Sequence, residues 1–162
     1  MLDRRKALAE LRLLELNNIK AKHPNLPYAD SFISKYEDRT ANGITKCVIS
    51  FLKLRDWQVE RINSMGRYIQ PKTFTDVVGF NNIISKGKWI KSTGTVGTAD
   101  ISATIWGRSI KIEVKAGADH QSQAQKEYQR DIEKAGGIYI IIRSFADFLN
   151  WYKDFEEKGG IR

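Results

Sequence analysis

A chain of 162 residues with 41% apolar and 28% charged side chains has the make-up of one folded domain and excludes a largely disordered protein. One cysteine, Cys47, excludes an internal disulfide and a cysteine-cluster zinc site, and two histidines, His23 and His120, leave little for histidine-based metal binding or proton transfer. The formal charge is +8 and it is concentrated: residues 61–118 hold nine basic against three acidic side chains, which points to a polyanionic partner and singles out the acids Asp76, Asp100 and Glu113.

Residues 3–22 read as a helix, with Asp3 as its cap and Ala7, Leu8, Leu11 and Leu14 at helical spacing. Charges interrupt these leucines, so the segment lacks the apolar core of a signal peptide. No run in the chain approaches the ~18 apolar residues of a membrane span. A cytoplasmic protein without membrane attachment is expected. Leu13, Leu16 and Ile19 widen the apolar stripe beyond one face. That suits an N-terminal helical arm (1–25) whose spare surface meets a second copy, a different partner, or its own domain. His23-Pro24 stops the helix, and 26–40 reads as a linker before a main domain at 41–155 and a frayed tail at 156–162.

A second helix is expected from Thr40 to Arg55, burying Ile44, Cys47, Val48, Phe51 and Leu52. Cys47 on that face is a small core residue rather than a nucleophile. Strand-like text at 57–62 ends in Asn63-Ser64-Met65-Gly66. Phe74–Phe80 reads as a strand, Ser85-Lys86-Gly87 as a turn, and Lys88–Lys91 as a short strand before a Gly/Thr-rich loop. Asp100–Trp106 and Ser109–Lys115 form a hairpin around Gly107-Arg108, with Ile110, Ile112 and Val114 on one face and Lys111, Glu113 and Lys115 on the other. A helix from Ser122 to Ala135 presents Ala124, Tyr128, Ile132 and Ala135. Ile138–Arg143 is continuously apolar and is expected as a buried strand. Ser144 caps a last helix with Phe148, Leu149, Tyr152 and Phe155 inward. The order gives an α/β fold, a mixed sheet flanked by helices.

Asp100 opens one strand of the hairpin, and Glu113 and Lys115 share a face of the other, so pairing can bring the two carboxylates together. They repel unless a cation lies between them, and hard oxygen donors suit Mg²⁺ or Mn²⁺. An adjacent lysine can orient a water or counter charge that develops on a phosphate.

Asp100, preceded by Gly97-Thr98-Ala99, and then Glu113-Val114-Lys115 resemble the PD-(D/E)XK nuclease superfamily. The strings GTADI and IKIEVK, the helix start Ser122-x-x-Gln125-x-x-Tyr128, and GGIYIIIRS are similar to its VRR-NUC branch, related to Holliday-junction resolvases and common in viruses of bacteria. The resemblance covers roughly residues 41–150. It implies a restriction-endonuclease-like mixed sheet and a metal-dependent endonuclease acting on DNA, with branched or junction DNA as the substrate. It further implies Asp100, Glu113 and the Val114 carbonyl as metal ligands, Lys115 as the active-site lysine, and Gln125 near the scissile phosphate. Resolvases work as symmetric dimers, so a homodimer is expected. Many relatives carry a further acid on the helix before the sheet. Here the corresponding text around Asn42 has none, with Glu37 and Asp38 upstream and Glu60 on the next strand.

Other readings stand beside these. Ser122-x-x-Gln125 is also a capping box. Tyr128 suits packing. His120 before the helix is incidental. Arg61, Arg67, Lys86, Lys88, Lys91 and Lys111 are phosphate contacts as a group or solvated charges. The same fold can bind nucleic acid without cutting it, and the leucine-rich arm suits a protein-interaction or inhibitor role.

Overall fold

The computed structural model describes residues 2–62, 66–90 and 94–159. In chain order its elements are α1 (Arg4–Lys22), a 3-10 turn at Ala29–Phe32, α2 (Ala41–Leu54), β1 (Gln58–Arg61), β2 (Arg67–Ile69), β3 (Lys72–Thr75), β4 (Asn81–Ser85), β5 (Lys88–Ile90), β6 (Ile101–Ile105), β7 (Arg108–Val114), α3 (Gln123–Lys134), β8 (Ile138–Ile142) and α4 (Phe145–Glu157). This is an α/β protein. A four-stranded sheet has the order β1-β6-β7-β8, antiparallel except for the parallel β7–β8 pair, and β2–β5 and β3–β4 form two further ladders. No helix among the described residues is long and apolar enough to cross a membrane.

Strand periodicity divides the sheet into two unlike faces. Ile101, Ala103 and Ile105, then Ile110, Ile112 and Val114, then Ile138, Ile140 and Ile142 are buried and face the core. Helix periodicity supplies the other half of that core. The expected face of α2, from Ile44 to Leu52, is buried, as are Phe148, Leu149, Tyr152 and Phe155 of α4. Phe51 is the hub, with edge-on contacts to Phe145, Phe148 and Tyr152. Each such ring, fully buried, contributes roughly 1.5–3 kcal/mol. The free thiol Cys47 lies in this core, and burial pushes its pKa up to about 12, which leaves it unreactive. The opposite sheet face carries Ser102, Lys111, Glu113 and Tyr139, and α3 packs on this side against β8.

Four sequence expectations need correction. The β6–β7 loop is Trp106-Gly107, not Gly107-Arg108, since Ile105 pairs with Arg108. Both loop residues have positive φ, 47° and 72°, as a type I′ turn requires. Trp106 is held in this unusual conformation for a non-glycine residue because its ring packs on Trp57, Tyr152 and Phe155. Phe74–Phe80 is not one strand, since only Phe74 and Thr75 belong to β3. It runs through the tip of the β3–β4 hairpin, where the Asp76 carboxylate accepts the N–H groups of Val78 and Phe80. Strand β8 lies at the sheet edge with Ile141 exposed, so its apolar run is not buried on both faces. Helix α3 keeps Ala124, Tyr128 and Ile132 half-buried on one face over the polar side of the sheet, but Ala135 is exposed, because it is the C-cap after the helix ends at Lys134.

The N-terminal helix sets one part of its apolar surface on its own domain, while Leu13 stays 57% exposed. Ala7 and Leu11 are fully buried, Leu2, Leu8 and Leu14 pack against the same core, and α1 lies against α2 and α4. Lys153 Nζ pairs with Glu10 at 2.8 Å, and Leu2 exchanges hydrogen bonds with Asn150. The irregular stretch after it is packed down by Asp38, which is 4% exposed. Its Oδ1 accepts the Phe145 N–H at 2.7 Å and so satisfies a donor at the start of α4, while the Arg4 guanidinium of α1 donates to the Asp38 carbonyl. Burial holds the Asp38 carboxyl above its ordinary pKa, against the pull of the Phe145 N–H and Arg4. The Phe145 N–H needs an acceptor oxygen, which a side-chain amide also offers. Asp38→Ala is expected to lower stability by about 1–2 kcal/mol in urea denaturation, and Asp38→Asn to recover most of the loss. Equal losses in the two variants would sink the capping role.

Candidate active site

The Trp106-Gly107 turn sets the register of everything that follows. With Ile101 opposite Ile112, the next residues out along the two strands are Asp100 and Glu113, on the polar face of the sheet. A turn one residue later would have put Asp100 across from Lys115 instead. The Asp100 Oδ2 accepts the Val114 N–H at 2.9 Å. In an extended strand a residue's carbonyl points to the same side as its N–H, so the Val114 carbonyl also faces the Asp100 strand. Asp100 Oδ1 has no hydrogen-bond partner among the described residues.

Glu113 and Lys115 are 2% and 5% exposed. Their side chains are joined at 3.1 Å, and Lys115 Nζ reaches the Asp119 carboxylate at 3.2 Å. Arg143 donates to the carbonyls of Gly117 and Asp119 and so fixes the loop that delivers Asp119. Both readings of Gln125 hold at once. Its Oε1 accepts the Ser122 N–H at 2.9 Å, closing the capping box of α3, and also accepts from Lys115 Nζ at 3.0 Å. Its amide nitrogen donates to Glu113 Oε1. Two donors on one end and a carboxylate on the other leave the Gln125 amide a single orientation. Glu113 Oε2 accepts from the Tyr139 hydroxyl at 3.3 Å.

The electrostatics follow from this packing. Burial, then the facing charge of Asp100, raises the Glu113 carboxyl above its ordinary pKa despite Lys115 and Tyr139. Burial pushes the Lys115 ammonium down, but its bonds to Glu113 and Asp119 outweigh that and raise it, so it stays charged at neutral pH. Burial also raises the Tyr139 hydroxyl, which stays a donor. Among the described residues no group of three or more His, Cys, Asp or Glu gathers. Asp100, Glu113 and the Val114 carbonyl are the oxygens that could hold a cation here. Hard donors of this kind suit Mg²⁺ or Mn²⁺, and a cation between Asp100 and Glu113 would relieve their mutual repulsion.

The remaining candidates lie apart from this cluster. Asn42 accepts from the Arg61 guanidinium at 2.7 Å. Glu37 accepts from Thr40, Asp38 caps α4, and Glu60 is exposed opposite Ser102, so none of the three joins the pair. Lys111 donates to Ser102 at 2.6 Å on the same sheet face. Arg67, Lys86 and Lys88 are exposed on the segment between β1 and β6, and Lys91 lies outside the described residues. Tyr128 packs edge-on against Tyr139, 6.3 Å between centroids, and His120 is exposed. Sequence reasoning missed Tyr139, Asp119 and the role of Gly97. The signal for Tyr139 was available, since it is the one polar side chain in IYIII and strand parity puts it on the Glu113 face.

Gly97, at φ 83°, lies against the first turn of α3, where an added Cβ would collide with the Ala124 carbonyl. That contact seats the helix start that holds Gln125. Compared with known proteins, the chain matches no family model and no curated protein. Gly97→Ala is expected to cost about 1–3 kcal/mol in urea denaturation and to shift the Gln125 side-chain amide resonance. Gly117→Ala, also at positive φ (60°) but with open space around its Cβ, costs less and leaves that resonance in place. Equal effects at the two positions would rule out the steric seat.

Proposed function

We propose that this protein is a divalent-metal-dependent endonuclease of the restriction-endonuclease-like fold that hydrolyses DNA phosphodiesters. The observation that carries the reading is the register-matched Asp100–Glu113 pair with buried Lys115 beside it, in the most basic third of the chain. Asp100, Glu113 and the Val114 carbonyl would hold the ion. When bound, Mg²⁺ or Mn²⁺ supplies Lewis acidity that activates water and polarises a phosphate. Lys115, held charged, offers its ammonium to the developing negative charge on phosphate oxygens. Gln125 and Tyr139 keep Glu113 and Lys115 in place. Branched or junction DNA is the substrate the sequence resemblance favours, and its two equivalent strands favour a symmetric dimer.

A second reading, the same fold binding nucleic acid without cutting, is favoured by one observation: both Glu113 oxygens already accept from protein donors. Cleavage of a panel of linear duplex, single strand, flap and four-way junction, in Mg²⁺ and in Mn²⁺, separates the two. Asp100→Asn and Glu113→Gln are expected to abolish cleavage while keeping or strengthening DNA binding. Near-normal cutting by either variant overturns the site, and no cutting of any DNA by the unaltered protein favours the binding module.

For Lys115→Ala the expected loss of rate is on the order of 10²–10⁴ with metal affinity little changed. Lys115→Arg is not expected to restore it, because Nζ sits in a buried nest of three acceptors that a planar guanidinium does not fit. Because its folded pKa is raised, the charged form persists until pH climbs past the ordinary lysine value. No loss of rate from this group is therefore expected near neutral pH. Full activity in the arginine variant would mean that the fit of Nζ among these acceptors does not matter to its role.

A further inference from the structure

Between β1 and β6 the chain runs out into one long hairpin. β2 pairs with β5 and β3 pairs with β4, with an irregularity at Lys72/Thr73 and the tip at 76–80. Among the described residues, the close packing of these four strands is with one another, and nearly every side chain on them is exposed. Chain connectivity roots the arm at the candidate site, since Ile62, just before it, donates its N–H to the Asp100 carbonyl at 2.8 Å.

The arm's surface is specific in kind. Arg67, Lys72, Lys86 and Lys88 stand against a single acid, Asp76, and that carboxylate is taken up by the N–H groups and Asn82 amide that shape the tip. Tyr68 and Trp89 are directly paired across the stem, 50% and 61% exposed. Each lies over the glycine just before the neighbouring strand. A Cβ on Gly87 would strike the Tyr68 hydroxyl, and one on Gly66 would come within 2.8 Å of Trp89 Nε1. The two glycines let the rings lie against the ribbon, which leaves π surface open to solvent on one face, while Arg67 and Lys88, each one residue from a ring along its strand, stand on the other. A solvent-exposed aromatic pair on a ribbon of net positive charge suits single-stranded nucleic acid, where bases offer π faces and phosphates offer charge.

We infer that this arm is a stacking platform for unpaired bases, with Tyr68 and Trp89 holding a single-stranded segment of the nucleic acid whose backbone enters the Asp100–Glu113 site. The inference rests on the nucleic-acid reading of that site and adds the feature recognised: a strand with unpaired bases rather than blunt duplex. The arm also exposes Phe74, Val77, Val78, Phe80, Ile83 and Ile84, which could alternatively meet a second copy of the chain, but four basic side chains on one ribbon disfavour docking against an identical ribbon.

The test is equilibrium binding of fluorescein-labelled oligothymidylate, a blunt duplex, and a duplex with a single-stranded tail. It uses the full chain in an Asp100→Asn background, so that cleavage plays no part. Tyr68→Ala and Trp89→Ala are expected to bind oligothymidylate and the tailed duplex roughly ten-fold more weakly. Trp89→Phe restores most of the loss, and blunt-duplex affinity is unchanged. Unaltered thermal melting checks that these exposed substitutions leave the fold intact. Equal losses on all three DNAs, or none, overturn the platform. So does light scattering that shows a dimer broken by Trp89→Ala with DNA affinity intact, which reassigns the arm to a contact between copies. Because no arm of the experiment reads cleavage, its failure leaves the nuclease reading standing. A protein that binds tailed DNA through the arm yet never cuts it overturns the nuclease reading alone.

Discussion

Two charged side chains, Glu113 and Lys115, are withdrawn almost completely from water on one face of a four-stranded sheet. Charges in that position are tolerated only when every lone pair and proton finds a partner. The rest of the polar layer meets that demand. Lys115 reaches Glu113, Asp119 and Gln125, while Glu113 receives Gln125 and Tyr139. Helix α3 must start where Ser122 and Gln125 can cap it and complete the network together, and Gly97 must lack a side chain for the helix to sit that close. The apolar face beneath, built by the alternate residues of the same strands, holds the framework that keeps these distances.

Much of this was legible in the sequence because it follows from periodicity. The face of α2 from Ile44 to Leu52, the inward aromatics of α4 and the alternation of IKIEVK all lie where spacing puts them. The juxtaposition of Asp100 with Glu113 was foreseen, yet from a turn placed one residue late. Residue type favours Gly107-Arg108 as a loop, but the packing of Trp106 under α4 decides in favour of Trp106-Gly107. Tertiary contact overrode local preference there, and did so again at Phe74–Phe80, where Asp76 turns a chain that its apolar residues would extend. Asp119 left no periodic trace, because it reaches Lys115 from an irregular loop pinned by Arg143.

Two parts of the molecule are held by different means. On the core side α1, α2 and α4 share apolar contacts and Asp38 ties the segment before α2 to the start of α4. Among the described residues the hairpin from β2 to β5, by contrast, has little besides its own ladders, and a two-stranded ribbon alone in water is marginally stable. A bound partner would therefore contribute to ordering that arm, whereas the sheet and its polar layer are ordered by the fold itself.

The capping box of α3 narrows what this chain can vary. Glutamate and glutamine serve equally at the third helical position of such a box, since either offers an oxygen to the N-cap amide. Gln125, however, also turns its amide nitrogen toward a buried carboxylate. A glutamate there would cap the helix as well but would set a third negative charge beside Glu113 and Asp100, with no proton to donate. Of two letters that the helix reads as synonyms, the sheet beneath it accepts one.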